Sequence, residues 1–272
     1  MKKILVCGFC TQDFIRNKSY FGGAAGGIAL NLASLGVNVG ILSVLGEDNF
    51  SKEYKKELLK KRVDISLVLD KAGRIPYLEV IDDKNSEFSR KFNDNGTKDK
   101  LEDTNPDFRL LNSYSFLHAV NAPKKLCNYL AQNFKGDISY CPGSLLVRDH
   151  NSLSDELASS SKFIFCNQEE YEILEKKVDF NNLFNKKLRL LLVTKGEKGV
   201  TAIYKDKVVS YDSIKVKKLV DTTGGGDAFA LGFIKAIMDD ESFDKGIKYG
   251  IKLASIAVQS YGVTQVILSK KY

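Results

Sequence analysis

The residues best suited to chemistry stand together at Asp221-Thr222-Thr223-Gly224-Gly225-Gly226-Asp227, directly ahead of an amphipathic run. Consecutive glycines let a backbone approach a ligand closely. Their amides, with the N-terminus of a following helix, make a hole for an anion. A carboxylate beside such a hole is out of place for anion binding alone. It has a use if a neutral hydroxyl lies between them. Asp227 then takes the hydroxyl proton while the amides of Gly224, Gly225 and Gly226 hold a phosphoryl group in transfer. The plainer alternative is a glycine-rich turn in which Asp227 caps the helix. A lone Gly-x-Gly would favour that alternative, and the full run ahead of a helix is more specific.

Other ligand-binding patterns are missing from the sequence. No Gly-Lys-Ser or Gly-Lys-Thr occurs, so there is no Walker loop. The first apolar run is followed by Gly8 alone, not by Gly-x-Gly-x-x-Gly, which argues against a nicotinamide-dependent oxidoreductase. Cys7-Gly8-Phe9-Cys10 has the spacing of a redox pair or half a zinc site. A redox pair opens a helix, and no helical pattern follows here. No second Cys-x-x-Cys occurs and the only histidines are His118 and His150, so redox and zinc chemistry are the weaker readings.

Such residues need a scaffold, and the chain alternates apolar strands with amphipathic helices. Ile4–Cys7, Val37–Leu45, Ile138–Tyr140, Phe163–Cys166 and Leu190–Thr194 read as strands. Gly27–Leu35 (stopped by Gly36), Ser51–Arg62, Asp227–Met238 and Ile247–Tyr261 read as helices. In the second of these Tyr54, Leu58 and Leu59 form the apolar face. The alternation predicts an α/β fold with a largely parallel sheet covered on both faces, and ligands at the carboxyl ends of its strands. Ile75–Ile81 and Glu87–Phe92 break the pattern as a hairpin around 82–86. A projecting hairpin serves as a lid, or else as an edge with no role.

Composition narrows the class further. The chain has 272 residues, 43% of them apolar, and only 4 Pro. A chain of this size buries about three quarters of its unfolded surface. We expect one domain over 1–272, with lid elements at about 14–21 and 75–92. The net charge of +7 is spread over helical faces, as at Lys52, Lys55, Lys56, Lys60 and Lys61. No basic patch interleaved with aromatics stands out, so no nucleic-acid partner is expected. No apolar run reaches the roughly 18 residues of a membrane span. The apolar run after Met1-Lys2-Lys3 ends at Gly8, too soon for a signal peptide. Five cysteines at irregular spacing suit a reducing compartment, and a cytoplasmic location is expected.

The run from Asp221 to Asp227 resembles the C-terminal signature of the PfkB/ribokinase family of carbohydrate and nucleoside kinases, usually Asp-Thr-x-Gly-Ala-Gly-Asp. Other segments follow in the family's order. Gly22-Gly23-Ala24-Ala25-Gly26-Gly27 resembles its N-terminal signature. Gly46-Glu47-Asp48-Asn49-Phe50 and Val63-Asp64-Ile65 resemble two conserved stretches. Asn167-Gln168-Glu169-Glu170 resembles the Asn-x-x-Glu element, and Val193–Gly199 the nucleotide-binding strand and turn. The likeness covers essentially the whole chain. It implies a ribokinase-like three-layer sandwich with a small β lid, acting as an ATP-dependent kinase on a sugar-like molecule. It implies Asp227 as base and Gly224, Gly225 and Gly226 as anion hole. It places ATP near Asn167, Glu170, Thr194, Gly196, Gly199 and Thr223. It implies Mg2+ organised by Asn167 and Glu170 through water, and substrate at Asp13, Gly22, Gly23 and Gly27. A K+ site near Asp221 also belongs to this expectation, and the exposed β element at 75–92 offers a homodimer surface through the lid.

The sequence departs from the family pattern in places. Gly27 stands where Asn often bonds a substrate hydroxyl, so poor activity on ribose is expected. Cys141-Pro142-Gly143 stands where Asp-Pro is common, and Ile251 or Lys252 where a polar adenine contact is expected. Only eight residues separate Asp13 from Gly22, which shortens the first lid element. Gly27 also motivates the rival reading, a sugar- or nucleotide-binding regulatory protein without turnover. The retained base and anion hole speak against it.

Overall fold

Strand β1 (Lys3–Cys7) is buried from Ile4 to Cys7 because it lies inside a sheet with helices on both faces. The computed structural model describes residues 2–15, 18–82, 88–143 and 153–261, without the side chains of 80–82 and 88–90. β1 pairs in parallel with β4 (Asn38–Gly46) on one side and β8 (Phe116–Val120) on the other. Beyond β4 lies β5 (Asp64–Lys71). Beyond β8 follow β9 (Asp137–Cys141), β10 (Phe163–Asn167) and β11 (Leu190–Thr194), all parallel. An antiparallel pair, β12 (Val200–Ile203) and β13 (Val208–Tyr211), completes a nine-stranded sheet.

Two apolar layers sandwich this sheet. Ile4, Val6, Ile41 and Phe165 face α1 (Ala24–Ser34), α2 (Asn49–Lys60), α9 (Gly225–Met238) and α10 (Phe243–Ala257). Leu5, Cys7, Leu42 and Ile164 face α3 (Thr97–Glu102), α4 (Phe108–Leu111), α5 (Lys124–Asn133), α6 (Asp155–Ser160), α7 (Gln168–Leu174) and α8 (Phe180–Asn185). The cysteines are free thiols: Cys7, Cys10, Cys127 and Cys166 are buried and Cys141 is half-buried. Burial raises the pKa of all of them, that of Cys10 to about 11. No described helix is long and apolar enough to cross a membrane.

Several helix starts differ from the sequence reading. α1 begins at Ala24, so Gly27 lies inside the helix and is buried. α2 starts at Asn49, where Asp48 accepts from the Ser51 amide, and it leaves Leu59 54% exposed. α10 starts at Phe243 behind the Ser242 cap, ahead of the expected Ile247, and ends at Ala257. α9 starts at Gly225, with Gly224 at φ 75 as its N-cap residue. Asp227 is therefore inside the first turn, not the capping residue of the plainer alternative.

A second sheet stands apart from the first. Its four strands run in the order β3 (Lys18–Gly22), β2 (Thr11–Ile15), β6 (Tyr77–Asp82), β7 (Phe88–Asn93). The segments 14–21 and 75–92 fall largely within it, and the expected hairpin tip from Asp83 to Ser86 lies outside the described residues. β2 joins β6 in parallel, which brings the two segments side by side. The register aligns Tyr20, Asp13, Leu78 and Phe92 in one row across all four strands. On the opposite face Arg74 lies 5.3 and 4.9 Å from the ring centres of Phe14 and Tyr77. It also donates to Gln12 Oε1 at 3.0 Å. Phe21 of β3 packs on Phe50 and Tyr54 of α2, at 5.1 and 4.8 Å between ring centres.

Candidate active site

The chain leaves β1 toward β4 and later returns to lay β8 on the other side of β1. A parallel sheet has its ligand crevice at such a reversal. The backbone there is tight. A Cβ at Gly8 would stand 2.1 Å from the Val120 carbonyl oxygen. Asn121, just past β8, adopts φ 49, a conformation Asn accepts better than most residues. Its side-chain oxygen would meet a Cβ on Gly143 at 1.6 Å, so β8 and β9 end in contact.

Asp13 projects from the second sheet into this region and is 3% exposed. Burial pushes its carboxyl up to about 6. The Thr11 hydroxyl and the Gly23 amide, both donating to it, oppose that rise, while the charges of Asp227 and Asp221 add to it. Asp13 therefore feels two aspartates from the far end of the sequence. Gly22 leaves room for the Asp13 carboxyl, which a Cβ there would meet at 2.0 Å. Tyr54 Oη donates to the Gly22 carbonyl at 2.7 Å, and a Cβ on Gly26 would stand 2.0 Å from that hydroxyl. Gly27 contributes backbone only: its amide donates to Gly23 O at 2.8 Å and its carbonyl accepts from Asn31 Nδ2 at 2.9 Å.

On the other side stands the start of α9. Gly224, Gly225 and Gly226 open the helix, and a Cβ on Gly226 would have nothing within 4 Å. That open space adjoins amides at a helix N-terminus, where an anion is favoured. Asp221 is 2% exposed; its Oδ1 accepts from the Thr223 amide at 2.8 Å. Its Oδ2 has no hydrogen-bond partner among the described residues.

Asn167 and Glu170 form a reciprocal capping box on α7. The Glu170 amide donates to Asn167 Oδ1 at 2.8 Å and the Asn167 amide to Glu170 Oε2 at 2.9 Å. The helix-capping alternative thus accounts for part of this pair. Thr194 sits beside Asn167 in the register of β10 and β11. Gly196 and Gly199 follow in the turn to β12, where a Cβ on Gly199 would stand 1.9 Å from the Tyr211 carbonyl oxygen. Ile251 and Lys252 lie on α10, the first buried and the second exposed. Cys141 ends β9, and the charges of Glu170 and Asp227 both add to the burial that raises its thiol. It therefore links the Asn167–Glu170 side to the Asp227 side. Sequence reasoning missed Asn121, whose signal was an Asn close before Pro123 at a strand end.

The family model for pfkB family carbohydrate kinases matches residues 7–270. A nucleoside kinase from Methanocaldococcus jannaschii is 27% identical over 96% of this chain and 92% of its own length. A ribokinase from Haemophilus influenzae is 25% identical over 92% of this chain and 85% of its own. The crystal structure of the M. jannaschii nucleoside kinase, a member of the ribokinase family, superposes with a TM-score of 0.87 at 25% identity. It covers 98% of this chain and 94% of that one. Nothing in these likenesses supports the rival reading of a regulatory protein without turnover. With three glycines and a carboxylate at one helix start, on this fold and across nearly the whole length, the chain belongs to the pfkB family of carbohydrate kinases, phosphotransferases that act on a hydroxyl of a sugar-like molecule.

Proposed function

We propose that the chain transfers the γ-phosphoryl group of ATP to a hydroxyl of a nucleoside. The observation that carries this reading is the approach of Asp13, on the second sheet, to the charge of Asp227, in the first turn of α9, beside the open N-terminus of that helix. Asp13 accepts hydrogen bonds from hydroxyls of the acceptor, and Gly22 and Gly23 shape the backbone around it. Asp227 takes the proton of the reacting hydroxyl as its oxygen bonds to phosphorus. The amides of Gly224, Gly225 and Gly226 hold the charge on the transferred group. Thr194, Gly196, Gly199 and Thr223 line the nucleotide side. ATP with Mg2+ supplies the phosphoryl group. The described residues hold no cluster of three His, Cys, Asp or Glu side chains that would grip a metal directly. Asn167 and Glu170 would thus act on Mg2+ through water, which suits its tenacious hydration.

Finer features belong to the same reading. The unpartnered Asp221 Oδ2 fits a monovalent cation such as K+. The second sheet acts as a lid on the nine-stranded body, and its edges offer a surface for a homodimer, which sedimentation would detect. Free thiols suit the cytoplasm. The nucleoside reading over a plain sugar draws on the likeness to the M. jannaschii nucleoside kinase and on Gly27, which offers no side-chain bond to a sugar. Incubation with ATP, Mg2+ and a panel of nucleosides, pentoses and polyols tests it. Turnover of nucleosides with ribose far behind is the expected result. Ribose turned over as fast as every other compound would refute the acceptor assignment.

A further inference from the structure

The row Tyr20–Asp13–Leu78–Phe92 has a use that the phosphoryl-transfer chemistry leaves unassigned. In register across four strands, these side chains share one face of the second sheet. Asp13 fixes which face it is, because its carboxyl meets the Gly23 amide and feels Asp227. With strands roughly 5 Å apart, Leu78 lies one strand from Asp13 and Phe92 two strands, roughly 10 Å away. Phe9, in the loop that follows β1, reaches the end of the row, with its ring centre 5.8 Å from that of Phe92 at 59°. Leu78, Phe92 and Phe9 are each half-buried, so protein atoms do not cover them fully.

The chemistry of the row is uneven. Asp13 serves hydroxyls. Leu78, Phe92 and Phe9 offer no polar atom, and hydroxyls pressed against them would lose water without gaining a partner. A free sugar carries hydroxyls around its whole ring. A nucleoside carries them on one part and a flat, unsaturated base on the other. We propose that Leu78, Phe92 and Phe9 form the subsite for the base of a nucleoside acceptor, which determines the preference for nucleosides over free sugars. This rests on the kinase reading above and adds the residues that select the acceptor.

The test is steady-state kinetics with ATP, Mg2+ and adenosine, cytidine, inosine or D-ribose, on the wild type and on Phe92→Ala, Leu78→Ala and Phe92→Tyr. Stacking of a base on an aromatic ring is sequence-tolerant and strong enough that its loss costs roughly ten-fold or more in affinity. In Phe92→Ala the ratio of kcat/KM for the best nucleoside to that for ribose should fall by roughly that factor, through KM. Phe92→Tyr keeps a ring and should keep the ratio. If Phe92→Ala unfolds, Leu78→Ala decides by the same ratio. An unchanged ratio, or equal losses on nucleoside and ribose, overturns the subsite and leaves the kinase reading standing. A wild-type protein that phosphorylates nothing in the panel overturns the kinase reading and the subsite together.

Discussion

Asp227→Asn keeps the shape of the side chain and removes its ability to accept a proton. A positioned base contributes typically about 10²–10⁴-fold, so kcat should fall by roughly 10²-fold or more. Because Asp227 lies in the first turn of α9, losing its charge also forfeits a helix-dipole interaction of about 0.3–1 kcal/mol. Thermal unfolding beside single-turnover rates separates the two effects, and a kcat within a few-fold of wild type would remove Asp227 from the chemistry. Asp13 makes a different prediction. Its carboxyl ionises near 6 in the fold against an ordinary 3.8. Acceptor binding needs the ionised form, so acceptor KM should climb as pH falls below about 6, by roughly ten-fold per unit. For stability the sign is reversed. The folded state holds this proton more tightly than the unfolded chain, so the contribution is complete below 3.8 and lost as pH rises through about 6. Asp13→Asn should therefore gain stability at pH 7, by up to about 3 kcal/mol, while losing acceptor affinity. Denaturant melts at pH 5 and 8 would show the gain growing with pH. Asp227 was legible in the sequence because its surroundings are consecutive. The coupling of Asp13 to it was not, because only the fold brings residues 13, 221 and 227 together.

The glycines around α1 show how elements constrain the site. The sequence reading used Gly22–Gly27 as a ligand loop and started the helix at Gly27. In the fold, Gly22 makes room for the Asp13 carboxyl and Gly26 for the Tyr54 hydroxyl. Tyr54 in turn bonds the Gly22 carbonyl, so α2 steadies the segment that supports Asp13. Gly26→Ala should cost about 1–3 kcal/mol by overpacking and raise acceptor KM. Adding Tyr54→Phe should return only part of the stability, because the ring carbon bearing the hydroxyl would still lie 2.9 Å from the new methyl. Full additivity of the two substitutions, measured by denaturant unfolding, would show that they do not share this contact. Periodicity revealed where these helices lie but not which element fills the space beside each glycine. The same limit misplaced Leu59, which the helical pattern put on the buried face and the fold leaves exposed.

At the scale of the whole molecule, the parallel body was legible from its alternating strands and helices. The second sheet was legible only in pieces, as lid elements at about 14–21 and 75–92, because β2 and β6 come from segments far apart and their parallel pairing leaves no local turn to read. The interior of the body also holds a titrating group. His118 is wholly buried, with Nδ1 2.8 Å from Ser139 Oγ and no partner for Nε2 among the described residues. Burial depresses its pKa from 6.5 to about 3. The unfolded chain takes up this proton first, so stability is intact above 6.5 and is lost as pH falls toward 3. The loss reaches about 4 kcal/mol near the lower end. His118→Leu should flatten the pH slope of unfolding over this window relative to wild type, and parallel slopes would exclude His118 as the cause. The depressed acidity of the thiols has a consequence of another kind. Thiolate, not thiol, reacts with alkylating agents and peroxide, and the fold keeps Cys7, Cys10, Cys127, Cys141 and Cys166 protonated. The native enzyme should take up little label in a brief pulse of iodoacetamide, whereas an opened chain should take it up at every cysteine. Mass added in such a pulse counts the unfolded molecules directly, so the protein carries a built-in reporter of its own opening.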